Sequence, residues 1–176
     1  MPTVCIFAGS SNRLPEAYYT VARELGREIV ALGADLLCGD AGNGLMKACA
    51  DEVHAGGGAV HVASPGKWLV QQRQPDYARV TQVTSEAERF EHFWKTATGF
   101  VALPGSGPGS MVEVWEYISR RQYGHDTRRL ILLDHADFWQ PTRQVMLQNE
   151  RLGTQRSGLC GYVTQPAQAA RLALLR

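Results

Sequence analysis

The sequence predicts an α/β fold: a single Rossmann-like domain over residues 1–176, with an open, mostly parallel sheet and helices on both faces. Three observations predict it. Short apolar runs alternate with stretches of helical periodicity along the 176 residues. The early helical stretches end in glycine (Gly33 and Gly56-Gly57-Gly58), as helices that stop on a left-handed residue do. Two of the apolar runs end in glycine-rich turns that open helices. Such alternation implies parallel strands with right-handed crossovers, because each helix must pack back onto the sheet.

The elements follow in order. Val4 to Ala8 is a strand that ends in Gly9-Ser10-Ser11. Pro15 fits a first-turn position, and Tyr18, Val21, Leu25, Ile29 and Leu32 recur at helical steps up to Gly33. Ala34 to Cys38 is the second strand, followed by the turn Gly39-Asp40-Ala41-Gly42-Asn43-Gly44 and a helix over about Leu45 to Ala55. Ala59 to Ala63 is the third strand. The stretch from Ser64 to Ala78 holds Pro65, Gly66, Pro75 and paired glutamines, and reads as a surface loop with a short helix at most. Arg79 to Val83 is a strand. Ser85 and Glu88 form a capping-box signature, opening a helix to about Ala97 with Phe90, Phe93, Trp94 and Ala97 inward. Gly99 to Leu103 is a buried strand, and the loop Pro104-Gly105-Ser106-Gly107-Pro108-Gly109-Ser110 leads to a helix over about Met111 to Arg121. Arg129 to Leu133, a helix from Phe138 to Asn149, a short strand at Tyr162-Val163 and a helix from Pro166 complete the chain.

Composition excludes several classes. A net charge of +1, with 20% charged residues, gives no basic face for nucleic acid and no reason to expect a membrane surface as partner. No apolar run approaches the ~18 residues of a membrane helix, and the N-terminus lacks a signal-type pattern, so the expected compartment is the cytoplasm. The four cysteines (Cys5, Cys38, Cys49, Cys160) show no metal or disulfide spacing. No metal and no cofactor are expected. Only three of the 18 basic residues are Lys (Lys47, Lys67, Lys95), and nothing marks one as a Schiff-base former.

Ligands of open parallel sheets bind beyond the carboxyl ends of strands, where strand order reverses. A helix N-terminus there offers unpaired N–H groups and partial positive charge, which suits phosphate. Gly107-x-Gly109-Ser110-x-x-Glu113 places two glycines, a hydroxyl and a carboxylate across such a start. A match of that kind arises by chance in roughly one chain in a hundred of this length. Ser110 and Glu113 also have capping-box spacing, so Glu113 either acts on a ligand or ties down the helix. The first glycine loop does not match Gly-x-Gly-x-x-Gly or Gly-Lys-[Ser/Thr], which disfavours a dinucleotide cofactor or an NTPase. Asp40 either orients a ligand hydroxyl or magnesium, or bonds its own turn.

Taken together these residues resemble the Lonely Guy (LOG) family of nucleotide phosphoribohydrolases, formerly called lysine decarboxylases. The resemblance rests on Val4-Cys5-Ile6-Phe7-Ala8-Gly9-Ser10-Ser11, on Gly44-Leu45-Met46, and on Leu103-Pro104-Gly105 followed by Gly107-x-Gly109-Ser110-x-x-Glu113. It spans residue 4 to about 163. It implies hydrolysis of the N-glycosidic bond of a nucleoside (cytokinin included) 5′-monophosphate, with Glu113 and Arg89 acting at the ribosyl bond. It also implies substrate contacts from Gly9, Ser10, Gly39, Asp40, Asn43, Gly44, Met46, Pro104, Gly105, Ser106, Gly107, Gly109, Ser110 and Met111, and a homodimer. His92, one turn on from Arg89, would line the same cleft. Trp115, Tyr117, Ile118 and Tyr123 would divide between the sheet and an exposed stripe.

The chain departs from the family pattern at several points. One residue is inserted between Pro104-Gly105 and Gly109, and Ser110 replaces Thr. The first loop reads Gly-Asp-Ala-Gly in place of three glycines, Phe90 stands where a Lys follows the Arg, and Lys47 replaces a Gly. The alternative is a non-catalytic carrier of a phosphorylated ligand, such as a nucleotide or molybdenum cofactor.

Overall fold

A computed structural model describes residues 1–66 and 73–175. Seven strands form one sheet: β1 (Thr3–Phe7), β2 (Asp35–Cys38), β3 (Val60–Pro65), β4 (Ala78–Val83), β5 (Gly99–Ala102), β6 (Leu130–Leu133) and β7 (Gly161–Val163). The helices between and after them are α1 (Glu16–Ala31), α2 (Gly44–Ala55), α3 (Glu86–Thr96), α4 (Pro108–Gln122), α5 (Gln140–Arg151) and α6 (Pro166–Leu174). The strand order is β4-β3-β2-β1-β5-β6-β7, and every neighbouring pair is parallel. Order therefore reverses between β1 and β5.

β1 shows why the sheet is covered on both sides. All five of its residues are buried, and their side chains alternate between two cores. Val4 and Ile6 join Leu25, Ile29, Leu45, Val53 and Ala169 under α1, α2 and α6. Cys5 and Phe7 join Phe93, Trp94, Val114, Tyr117 and Met146 under α3, α4 and α5. A strand buried on both faces reads as a continuous apolar run, as Val4 to Ala8 does. No helix among the described residues is long and apolar enough to cross a membrane.

Three expectations need correction. β3 continues through Ser64 and Pro65, so the expected loop starts later, and the part of it at 67–72 lies outside the described residues. Leu32 is 38% exposed because it is the C-cap of α1, where the helical register has ended. Most consequentially, α4 begins at Pro108, with Gly107 as its N-cap and proline in the first turn. The fixed φ of proline suits that position, where its missing N–H costs nothing. Ser110 is therefore inside the first turn and cannot be the cap that pairs with Glu113.

Candidate active site

The loops after β1, β2 and β5 converge at the carboxyl edge of the sheet, at the point where strand order reverses. They enclose a cleft of about 440 Å³. Ala8, Gly9, Ser10 and Ser11 form one wall, and Gly39, Asp40 and Met46 a second. Gly105, Gly107, Pro108, Gly109 and Ser110 form a third, with Arg89 and Glu113 on the floor.

The two helix N-termini at this edge differ in kind. At α2, the Gly44 N–H donates to Asn12 Oδ1 at 2.8 Å and the Leu45 N–H to the Gly9 carbonyl at 3.0 Å. Gly44 has φ +58, and a Cβ there would stand 2.7 Å from Ser10 Cα, so only glycine lets these loops meet. The first two donors of α2 are thus satisfied by protein. At α4, the Gly109 and Ser110 N–H groups meet no acceptor among the described residues, and only from Met111 onward do bonds begin, to the Gly107 carbonyl at 3.1 Å. Open donors at a helix N-terminus facing a cleft suit an anion. The second glycine loop carries that property with two such donors, whereas at α2 only the Met46 N–H is without an acceptor among the described residues.

Arg89 and Glu113 meet across the cleft floor. Arg89 rises from the first turn and a half of α3, which Ser85 caps by accepting from the Glu88 N–H at 3.2 Å. Glu88 Oε2 in turn accepts from the N–H and the hydroxyl of Thr84, both at 2.7 Å, one residue before the Ser85 N–H that a capping box would use. Arg89 Nη2 donates to Glu113 Oε1 at 2.5 Å, and Nη1 donates to Glu86 Oε2 at 3.2 Å. Its guanidinium also stands 5.1 Å from the Phe93 ring centre. The side chains of Arg89 and Glu113 are 11% and 7% exposed, so neither is a solvated helix charge, and Glu113 serves no cap. Burial pushes the Glu113 carboxyl up to about 7, against the pull of Arg89 and with a further push from Glu86. A carboxyl that ionises near neutrality is suited to proton transfer.

Several expected site residues lie elsewhere. Asn43 spends its side chain on Asp40 Oδ2 at 3.1 Å and on Asn12, and Gly44 is held by Asn12. Pro104 is buried behind the loop. The Ser106 hydroxyl donates to the Leu103 carbonyl at 2.7 Å, so it braces the loop. Met111 packs in part against the core and borders a shallow depression with Val112, Trp115 and Glu116, outside the cleft. His92 is outside the cleft too, and burial and nearby His61 disfavour its charged form. Asp40 lines the cleft, yet it mainly holds its own turn: Oδ1 accepts from the Gly42 N–H and from Gln74 Nε2, both at 2.7 Å.

Sequence reasoning missed Ala8, Ser11, Pro108 and Glu86. Pro108 between two glycines was a readable first-turn signal, and Glu86 stands at i−3 from Arg89, a pairing distance on a helix. The departures from the family pattern fall outside the cleft at two points. Phe90 stacks on Trp94 with ring centres 5.9 Å apart, and Lys47 pairs with Asp51 on the surface at 2.7 Å.

A doubly wound sheet with an open helix N-terminus at its switch point, and a buried Arg–Glu pair beneath, defines an α/β protein whose cleft is suited to an anion and holds a candidate acid–base group. The family described as "Possible lysine decarboxylase" matches residues 46–172, and the chain belongs to it. A probable cytokinin riboside 5′-monophosphate phosphoribohydrolase of Oryza sativa subsp. japonica is 36% identical over 132 residues, covering 74% of this chain and 58% of the rice protein. A cytokinin riboside 5′-monophosphate phosphoribohydrolase of Arabidopsis thaliana is 33% identical over 125 residues, covering 70% of this chain and 58% of its own. The chain thus spans less than two thirds of these relatives. Among solved structures, the Moco carrier protein of Chlamydomonas reinhardtii superposes with a TM-score of 0.71 at 20% identity, covering 97% of this chain and 93% of that one. A molybdenum cofactor binding protein of Rippkaea orientalis gives 0.72 at 18%, covering 97% and 94%. At such identities the likeness is one of fold.

Proposed function

We propose that this chain hydrolyses the N-glycosidic bond of a nucleoside 5′-monophosphate, releasing the free base and ribose 5-phosphate. The observation that carries the reading is a buried carboxyl, Glu113, ionising near neutrality a short way into the helix whose N-terminal donors are open. Relatives at 36% and 33% identity named as phosphoribohydrolases support it. In this reading the Gly109 and Ser110 N–H groups and the Ser110 hydroxyl hold the phosphate, and Gly105 and Gly107 let it approach the backbone. The phosphate fixes the sugar above the floor. As the bond from C1′ to the base nitrogen opens, the sugar gains oxocarbenium character, which the Glu113 carboxylate stabilises. Water adds to C1′ and gives its proton to Glu113. Glu113 passes that proton to the nitrogen of the departing base and is again a carboxylate, so the sum is nucleotide plus water to base plus ribose 5-phosphate. Arg89 holds Glu113 in place and keeps its anionic form accessible.

The test is release of ribose 5-phosphate from AMP, GMP, CMP, UMP and a cytokinin monophosphate by wild type and by Glu113→Gln. Release by wild type alone establishes the activity and the role of Glu113. Nucleotide that protects the fold against heat, with no release from any substrate, makes the protein a carrier instead.

The same reading includes a homodimer through α4. Tyr117 and Ile118 are buried, while Val112 and Trp115 remain 56% and 36% exposed and border a shallow depression with Met111 and Glu116. Exposed aromatic and aliphatic side chains grouped on one helix face suit an interface.

A further inference from the structure

Glu86 lies outside the family resemblance and outside the lining of the cleft, yet it is bonded to the cation on the cleft floor. Its Oε2 takes Arg89 Nη1 at 3.2 Å while Glu113 Oε1 takes Nη2 at 2.5 Å. The two nitrogens sit on one planar group, so Arg89 bridges the carboxylates of two helices. On the remaining sides Gly39 and the Phe93 ring confine the guanidinium. The other oxygen of Glu86, Oε1, is buried with no hydrogen-bond partner among the described residues, while the side chain as a whole is 44% exposed, so its inner edge faces Arg89 and the rest meets water.

We propose that Glu86 is a positioning residue for the reaction assigned above: it fixes the edge of Arg89 that faces Glu113 and divides the charge of Arg89 between two carboxylates. This inference rests on the proposed function for its catalytic consequence, though not for its physical one. The groups that face Glu113 are few. From α3 come Arg89 and Glu86, from β1 Cys5, from β2 Cys38, and from the loop after it Asp40. Burial pushes both thiols up, Cys38 to about 12, so they stay neutral. The Asp40 carboxylate is engaged by the Gly42 N–H, Asn43 and Gln74. What remains is one cation and a second carboxylate. Glu86 acts on Glu113 directly by repulsion and indirectly by occupying Arg89, and both effects favour the protonated form.

The experiment follows the Glu113 carboxyl by carbon-13 NMR of glutamate-labelled protein against pH, with Glu113→Gln assigning the resonance. In Glu86→Gln the midpoint should fall by at least ~0.5 pH unit. In Glu86→Asp, which keeps the charge one methylene further away, it should fall by less. If the protein has the proposed activity, the pH profile of kcat/KM should move by the same amount in Glu86→Gln. There kcat should drop several-fold while KM stays close to wild type, because the phosphate donors sit on α4. An ordinary i,i+3 helix pair would leave the Glu113 midpoint in place, and an unmoved midpoint in both variants overturns the inference. Because the titration needs no substrate, absence of phosphoribohydrolase activity would sink the proposed function and leave this result standing by itself. Should the Gln variant not fold, the Asp variant decides: a midpoint equal to wild type overturns the role.

Discussion

Gly39 lies directly beneath the guanidinium of Arg89: a Cβ built on Gly39 would stand 2.9 Å from Arg89 Cζ. The backbone at the end of β2 is therefore one side of the slot that aims Arg89 at Glu113. Gly39→Ala should push the guanidinium off its line, and the slot is closed behind by Phe93, so Arg89 has little room to give. We expect a loss of stability of about 1–3 kcal/mol, the usual range for overpacking, and a fall in kcat of roughly tenfold to a hundredfold. Chemical denaturation and steady-state kinetics on the same preparation check both. Unchanged kcat would mean that the orientation of Arg89 is not needed.

The buried carboxyl carries a stability cost whose sign can be worked out. Glu113 is raised from the ordinary 4.5 to about 7 by burial, so the folded state holds its proton more tightly than the unfolded chain does. The stability tied to the protonated form is fully present below about pH 4.5 and is lost as pH rises through about 7. Glu113→Gln cannot ionise and escapes that loss. The variant should match wild type near pH 4.5 and exceed it at pH 8 by on the order of 3 kcal/mol. Denaturant midpoints across this range check it. A gap that does not widen with pH would show that Glu113 is ionised at little cost.

Much of the fold was legible because its punctuation was explicit. Gly33, Gly56-Gly57-Gly58 and Pro166 mark helix ends that the structure places within a residue or two, and the twin burial of β1 was written as an unbroken apolar run. The site was legible in its loops and in Arg89 and Glu113, since those residue types have few other reasons to sit at strand ends. What escaped was the exact start of α4. The spacing of Ser110 and Glu113 imitates a cap, while the true start depends on Gly107 and Pro108, whose backbone angles no spacing rule reports. Glu86 escaped for a similar reason. An acid in the first turn of a helix is ordinary, and only the course of the Arg89 side chain shows that it serves the cleft. Asp40 illustrates the opposite case, since a buried acid at a strand end proved to be mostly the tie of its own turn.

Two serines in the same loop should separate binding from stability. The Ser106 hydroxyl is spent on the Leu103 carbonyl, whereas that of Ser110 has no such bond and lines the cleft. Ser106→Ala should cost about 1 kcal/mol of stability and leave KM for the nucleotide near wild type. Ser110→Ala should leave stability near wild type and raise KM roughly tenfold to a hundredfold, the value of one hydrogen bond to a charged group. Thermal melts with and without AMP, read beside KM, distinguish the two. Equal effects from both substitutions would remove Ser110 from the phosphate site.

The outer face of α4 gives a prediction that links assembly to the cleft. Val112 and Trp115 are exposed on α4 while Val114 and Tyr117 are buried against the sheet, so a charge placed at Trp115 falls on the solvent side of the helix. Trp115→Glu should therefore keep the fold and its melting temperature within a few degrees while breaking a dimer. Light scattering after size exclusion should give twice the 19.4 kDa chain mass for wild type and the single mass for the variant. Ser110 and Glu113 are on the same two turns as Val112 and Trp115, so loss of the partner should loosen the first turn of α4. Nucleotide affinity should then fall together with assembly, about tenfold if the first turn must be reordered on binding. A wild-type protein that runs as a monomer removes the dimer. A Trp115→Glu monomer that binds nucleotide as tightly as wild type removes the coupling and leaves α4 with two independent faces.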